Sequence, residues 1–424
     1  MNHRARPELR LALCAGALLI VIACSADDSG DKPSGMTGAG ASGGMFASGG
    51  AGGASGTVAS GGTFAAGSGG AAPFDAGTAG SGGQGSVDAG GLTGGAPASD
   101  AAVEDGAMAT DGAALDDDRC SVAVLDPAQP PRALTLSGDL GTHDPALIEH
   151  EGTVYMWQTG PRLPGKTSQD LLEWSGAPSA LGASNPTWIA SEVPGATDLW
   201  APDVSRFGDR FHLYYSASTF GSNHSCIGHA TRESLTTGSW IDQGPVVCSD
   251  DGDDHNAIDP NVIVDTEGTP WLSFGSFWDG IKAIRLTLDG DRADDALHSL
   301  ASRGGGAIEA PFIVRRCGYY YLFVSFDRCC NGASSTYNIR VGRSTQVLGP
   351  YVDREGTPLL NGGGSQLVSA TQRYRGPGHS AVIFRDSRAY NVFHAYDAEN
   401  GGRPTLRVAE LAWDDEGWPI SGSP

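Results

Sequence analysis

Residues 119–424 repeat one short plan five times: a strand, a tight polar or Gly-containing turn, and a second, aromatic strand. The copies are "HDPALIEHEGTVYMW" from His143, "WAPDVSRFGDRFHLYY" from Trp200, "IDPNVIVDTEGTPWLSF" from Ile258, "EAPFIVRRCGYYYLFVSF" from Glu309 and "GHSAVIFRDSRAYNVFHAY" from Gly378. Their marker residues Asp144, Ala201, Asp259, Glu309 and His379 are spaced 57, 58, 50 and 70 residues apart. Self-similarity at a long period is the signature of repeat folds, and a propeller blade needs four short strands. Long helical periodicity is absent, and runs such as "YYYLFVSF" and "FHLYYSAS" have the length and aromatic content of strands. The chain is therefore expected to be all-β, a five-bladed β-propeller over 119–424, with the first strand of each blade lining a central channel.

That geometry gives meaning to the residues at the strand starts. A single carboxylate there reads as a turn or cap. Asp144, Asp259 and Glu309 at matching places in three blades, with His379 in a fifth, would converge on one axis, and their mutual repulsion would destabilise a fold that made no use of them.

The N-terminal part follows a different logic. Arg4, Arg6 and Arg10 precede the apolar run "LALCAGALLIVIAC", which is shorter than the roughly 20 residues of a membrane span. Residues 1–24 are read as an export signal, with Val21-Ile22-Ala23-Cys24 resembling a lipoprotein lipobox and Cys24 as the lipidated residue. Residues 25–118 are Gly, Ala, Ser and Thr with scattered Asp, too poor in large apolar groups to offset ordering entropy. They are expected to be a disordered tether with a root-mean-square reach of roughly 50–60 Å. An exported, cell-surface or secreted, monomeric protein is the expectation. The formal net charge of −22 argues against nucleic acid or anionic lipid as a partner, leaving a neutral polysaccharide open and the membrane reached only through the lipid. Six cysteines fall in 119–424, an even number compatible with disulfides, with Cys226 and Cys248 the first candidate pair.

Carboxyls gathered in a polar channel, without a Ser–His pair, a Cys nucleophile or a zinc cluster, suit glycoside hydrolysis. One must be protonated to donate to the leaving oxygen and another ionised to activate water. The motifs "HDPALI", "IDPNVIVD", "EAPFIV" and "GPGHSAVI", in that order, resemble glycoside hydrolase family 43. Within it, "DLWAPDVSRFGDRFHLYYSAS", "FGSFWDGI" and "YYLFVSFDRCCNGASSTYNIRVGRS" are most similar to the arabinan endo-1,5-α-L-arabinosidases. The resemblance implies an inverting reaction with Asp144 as general base, Glu309 as general acid and Asp259 as the residue that orients Glu309 and raises its pKa. It implies a hydrated calcium ion near His379, although calcium prefers oxygen ligands and a hydrogen-bonded, metal-free histidine is the alternative. Trp200, Asn256, Ser276, Phe277 and Trp278, beside the strand starts and ends, are the expected sugar contacts with Asp144 and Glu309; packing between blades is the plain alternative for the aromatics. Asp203 is the less secure binding candidate. Cys329 and Cys330 would form a vicinal disulfide or two free thiols. The competing functions are an exo-acting α-L-arabinofuranosidase or β-xylosidase of the same fold and a non-catalytic carbohydrate-binding propeller.

Overall fold

The computed structural model describes residues 119–424. The signal segment, Cys24 and the tether expected over 25–118 lie outside the described residues. Among the described residues no helix is long and apolar enough to cross a membrane.

Five separate sheets follow one another along the chain, each built on four antiparallel strands in sequence order, the first with one short parallel strand added at its outer edge. Their inner strands are Ala146–His150, Trp200–Phe207, Asn261–Val264, Ile308–Arg316 and Tyr374–Arg385 in blades 1 to 5. These touch one another in ring order, and blade 5 returns to blade 1, so the expected five-bladed propeller closes. The second strands are Thr153–Trp157, Arg210–Ala217, Pro270–Phe274, Tyr319–Phe326 and Arg388–Asp397. The hairpins of blades 1, 4 and 5 turn on two consecutive residues with positive φ, Glu151-Gly152, Cys317-Gly318 and Asp386-Ser387. That is the mirror-image turn whose twist matches paired strands.

The blades pack on aromatic and aliphatic side chains from alternate strand positions. Tyr321, Phe323, Ile339, Phe393 and Trp413 form the cluster between blades 4 and 5, and Tyr214, Leu272, Phe274 and Ile284 the one between blades 2 and 3. Closure does not share a strand between the chain ends. Instead the segment before blade 1 acts as a strap. Cys120 is bonded to Cys317 in the blade 4 hairpin, Val124 and Ala133 pair with Trp413 and Ala409 of blade 5, and Ser137–Gly138 lies parallel to Glu173 and Trp174 of blade 1. The expected Cys226–Cys248 bridge is present between facing residues of blade 2, and Cys329 is joined to Cys330.

Each inner strand carries a non-glycine residue in the left-handed region, just before it or within its first half: Asp144 (φ 51°), Ala201 (41°), Asp259 (58°), Ala310 (53°) and His379 (58°). In blades 2, 4 and 5 the strand register shifts there, so each marker sits at a bulge that re-aims its neighbours. Blade 4 corrects the expected alignment by one residue, because Ala310 and not Glu309 holds the equivalent position. Glu309 therefore matches His143, Trp200, Ile258 and Gly378 of the other blades.

Candidate active site

A cavity of about 670 Å³ opens at the end of the channel where the inner strands begin. Its lining includes all the expected channel residues, namely Asp144, Trp200, Asn256, Asp259, Ser276, Phe277, Trp278, Glu309 and His379. Asp144, Asp259 and His379 reach it from the left-handed positions of blades 1, 3 and 5.

Asp144 is surrounded by one hydroxyl and three imidazoles. Thr159 Oγ1 donates to its Oδ2 at 2.6 Å, and His143 Nδ1 lies 2.7 Å from the same oxygen. His379 Nδ1 and His394 Nδ1 stand 3.3 and 3.4 Å from Oδ1. Burial alone would push this carboxyl up, but His143 above all, by charge and hydrogen bond, outweighs it and holds Asp144 far below the usual carboxylate range; His379 and His394 act in the same direction but are weaker partners, because burial lowers their own pKa. His143 is itself fixed from behind. Its Nε2 is 2.8 Å from Tyr396 Oη, which accepts the Cys330 backbone N–H at 2.7 Å. In the charged form favoured by Asp144, His143 donates Nδ1–H to the carboxylate and Nε2–H to the tyrosine oxygen. Burial lowers the His143 pKa and the Asp144 charge and hydrogen bond raise it, with a net rise.

The opposite wall has the reverse character. Asp259 and Glu309 are buried, at 8% and 7% exposure, with few donors between them. Asp259 Oδ2 accepts the Ala310 N–H at 3.1 Å, and Ser276 Oγ donates to Glu309 Oε2 at 2.6 Å. Tyr337 is a further hydrogen-bond partner of Glu309. Its ring packs so closely on Gly378 that a Cβ there would lie 1.9 Å from a ring carbon, which explains the glycine in "GPGHS". Burial first, then repulsion within the cluster, pushes the Asp259–Glu309 pair upward, the direction that favours a retained proton.

The sugar-facing rim is also organised. Phe277 (φ 52°) and Trp278 (φ 36°) are consecutive left-handed aromatics, a costly conformation that their turn fixes. Gly280 N–H closes that turn on Phe277 O at 2.7 Å, and buried Lys282 holds Asp279 at 2.7 Å. Asn256 donates weakly to Ser222 O at 3.5 Å, and its buried Oδ1 has no partner. Asp203 is not in this wall. It is buried in the junction of blades 2 and 3, accepting from Asn261 Nδ2 at 3.0 Å and Val262 N–H at 3.1 Å, and burial pushes its pKa up to about 7.

His143, Asp144 and His394 form a group whose ligand atoms lie within 4.8 Å of one another. Their capacity is largely used already, since His143 serves Asp144 and His394 Nδ1 accepts the Asp144 N–H at 3.1 Å. This nitrogen-rich set does not match the oxygen preference of calcium. His379, which reaches the cavity with one nitrogen beside Asp144 Oδ1, suits only a cation whose shell is completed mainly by water. His394, Thr159, Tyr337 and Tyr396 were not legible as site residues. A usable signal existed for two of them: Thr159 and His394 both stand two residues after a core residue of the second strand, as Ser216 and Ser325 do.

The glycosyl hydrolases family 43 model matches residues 137–419. The chain is 40% identical over 284 residues to an extracellular endo-α-(1→5)-L-arabinanase of Bacillus subtilis, covering 65% of this chain and 86% of that protein. It is 41% identical over 296 residues to an extracellular exo-α-(1→5)-L-arabinofuranosidase of Cellvibrio japonicus, covering 65% and 85%. Among solved structures, a family 43 endo-arabinanase from Bacillus licheniformis superposes with a TM-score of 0.65 at 46% identity, covering 68% of this chain and 99% of that one.

Proposed function

The chain belongs to glycosyl hydrolases family 43, and from that premise we propose that it hydrolyses internal α-1,5-L-arabinofuranosyl bonds of arabinan with inversion. The observation that carries this reading is the opposed setting of three buried carboxyls in one cavity: Asp144 stands among a threonine hydroxyl and three imidazoles, which hold its pKa down, while Asp259 and Glu309 share a wall poor in donors, where burial pushes them up. Glu309 gives its proton to the glycosidic oxygen as the C1–O bond breaks. Water attacks C1 from the other face and passes a proton to Asp144, whose depressed pKa keeps it ionised at some loss of basicity. Asp259 anchors the acid wall through the Ala310 N–H. Trp200, Phe277 and Trp278 offer faces to the furanose rings, and Asn256 Oδ1 accepts a hydroxyl.

Calcium, where bound, would be held by His379 with water completing the shell. It would supply a fixed positive charge on the channel floor beside Asp144. Calorimetric titration of the wild type and of His379→Ala with calcium tests this, and equal heats from both would remove it. Residues 1–118 are proposed to export and tether the enzyme through a lipidated Cys24. Radiolabelled palmitate entering the wild type and not Cys24→Ser would support the anchor.

Exo action is the second reading, favoured by the 41% identity to an exo-acting relative. The product profile on debranched linear arabinan decides. Short oligosaccharides appearing early are expected, whereas arabinose alone from the first minutes would assign exo action, and no release at all would favour a binding propeller.

A further inference from the structure

Four of the five blade junctions close with the same hydrogen bond. The backbone N–H of the left-handed marker donates to a side chain from the second-strand side of the preceding blade. Asp144 donates to His394 Nδ1 at 3.1 Å, Ala201 to Thr159 Oγ1 at 2.8 Å, Asp259 to Ser216 Oγ at 2.9 Å and His379 to Ser325 Oγ at 2.9 Å. Each acceptor stands two residues after a buried core residue: Val392, Trp157, Tyr214 and Phe323. At the junction of blades 3 and 4 the residue in that place is Ser276, two after Phe274, yet it makes a different bond. The Ala310 N–H goes to Asp259 Oδ2, and the Ser276 hydroxyl is turned onto Glu309 Oε2 at 2.6 Å.

We propose that Ser276 is a positioning residue for the acid: a junction serine displaced from its backbone partner by Asp259, it fixes Glu309 Oε2 as an acceptor and leaves Oε1 to carry the transferred proton. The inference rests on Glu309 being the general acid. A serine hydroxyl has one proton to donate, so a Ser276 committed to Oε2 makes the two carboxyl oxygens inequivalent. Ser276 is 4% exposed, so the bond is largely shielded from bulk water. Asp259 acquires a second role in the same arrangement. It replaces a serine as the cap of a strained strand start, and that replacement frees the serine for Glu309.

The test compares Ser276→Ala, Ser276→Thr, Ser325→Ala and Glu309→Gln on linear arabinan and on an aryl arabino-oligoside whose leaving group needs no protonation. Ser276→Ala is expected to lower kcat on arabinan by roughly 10- to 100-fold, the range for one hydrogen bond to an ionisable group. It should change KM little, lose far less on the aryl substrate, and move the alkaline limb of kcat/KM upward because a donor to the carboxylate is gone. Ser276→Thr should restore most of the rate. Ser325→Ala should lower Tm without moving the alkaline limb. Should the alanine variant fail to fold, Ser276→Cys keeps the volume with a weaker donor and should show the same ordering. A raised KM at unchanged kcat would make Ser276 a sugar contact, and equal losses on both substrates with a lowered Tm would make it another junction cap. Either result overturns the proposal. Loss of Glu309→Gln activity on both substrates alike would instead show that the acid assignment has failed, and the role of Ser276 would fall with it.

Discussion

Asp144 and Glu309 face the same cavity from blades 1 and 4, are buried to the same degree, and are pushed in opposite directions from the ordinary carboxylate range. The difference is in their neighbours. Three imidazoles and a threonine hydroxyl crowd Asp144, while Glu309 faces another carboxyl, a serine and a tyrosine. Burial penalises charge equally at both places, so the number and sign of nearby groups decide which proton stays. One fold thereby supplies an acid and a base at one pH without a difference in side-chain chemistry beyond a methylene.

Removing either carboxyl should break the contrast most completely. Asp144→Asn and Glu309→Gln are each expected to lower kcat on arabinan by roughly 10²- to 10⁴-fold, the range for a lost general acid or base, with far-UV circular dichroism unchanged. Weakening the surroundings of one wall should have a smaller and directional effect. His143→Gln removes a positive neighbour from Asp144, so the Asp144 pKa should rise. Activity requires its ionised form, and the acidic limb of kcat/KM should therefore move to higher pH, with a loss of roughly tenfold at neutral pH. A pH profile with an unmoved acidic limb would show that His143 does not govern Asp144.

Asp203 sharpens the comparison from outside the site, as a raised carboxyl with a structural task. Its folded pKa of about 7 lies above the ordinary value of 3.8, so the folded chain holds a proton that the unfolded chain has lost between those values. Stability from this group is present below pH 4 and is lost as pH rises toward 7. Asp203→Asn turns an NH₂ toward Asn261 Nδ2 or Val262 N–H, so it should lower stability by about 1–3 kcal/mol, flatten this pH dependence in thermal melts, and leave kcat within a few-fold. The smallest effect belongs to Asn256→Ala, expected to raise KM roughly 2- to 10-fold with kcat nearly unchanged, since it removes one neutral hydrogen bond.

The repeat was legible because blade geometry acts on local sequence. Alternating aromatic strands and tight polar turns are read directly from "GTVYMW" or "YYYLFVSF", and the marker spacing placed four of the five junctions. Glu309 was off by one because an acid in a row of acids is a stronger signal than Ala310, whose role depends on backbone φ alone. The channel residues emerged because strand starts converge in any propeller. Tyr337 and Tyr396 did not, because they lie past the strand starts and reach Glu309 and His143 through tertiary contacts that no period encodes. His394 was hidden for a different reason: in the pattern it occupies a place held elsewhere by serine or threonine, and only the pairing of blade 5 with blade 1 brings it to Asp144.

The most direct test of the account is the ratio of activity losses on arabinan and on an aryl arabino-oligoside for the two carboxyl variants, measured side by side. The account predicts that Glu309→Gln recovers most of its rate on the activated substrate, because departure no longer needs a proton, while Asp144→Asn stays equally impaired on both. Recovery by Asp144→Asn instead, or by neither, would contradict the assignment of acid and base to the two walls.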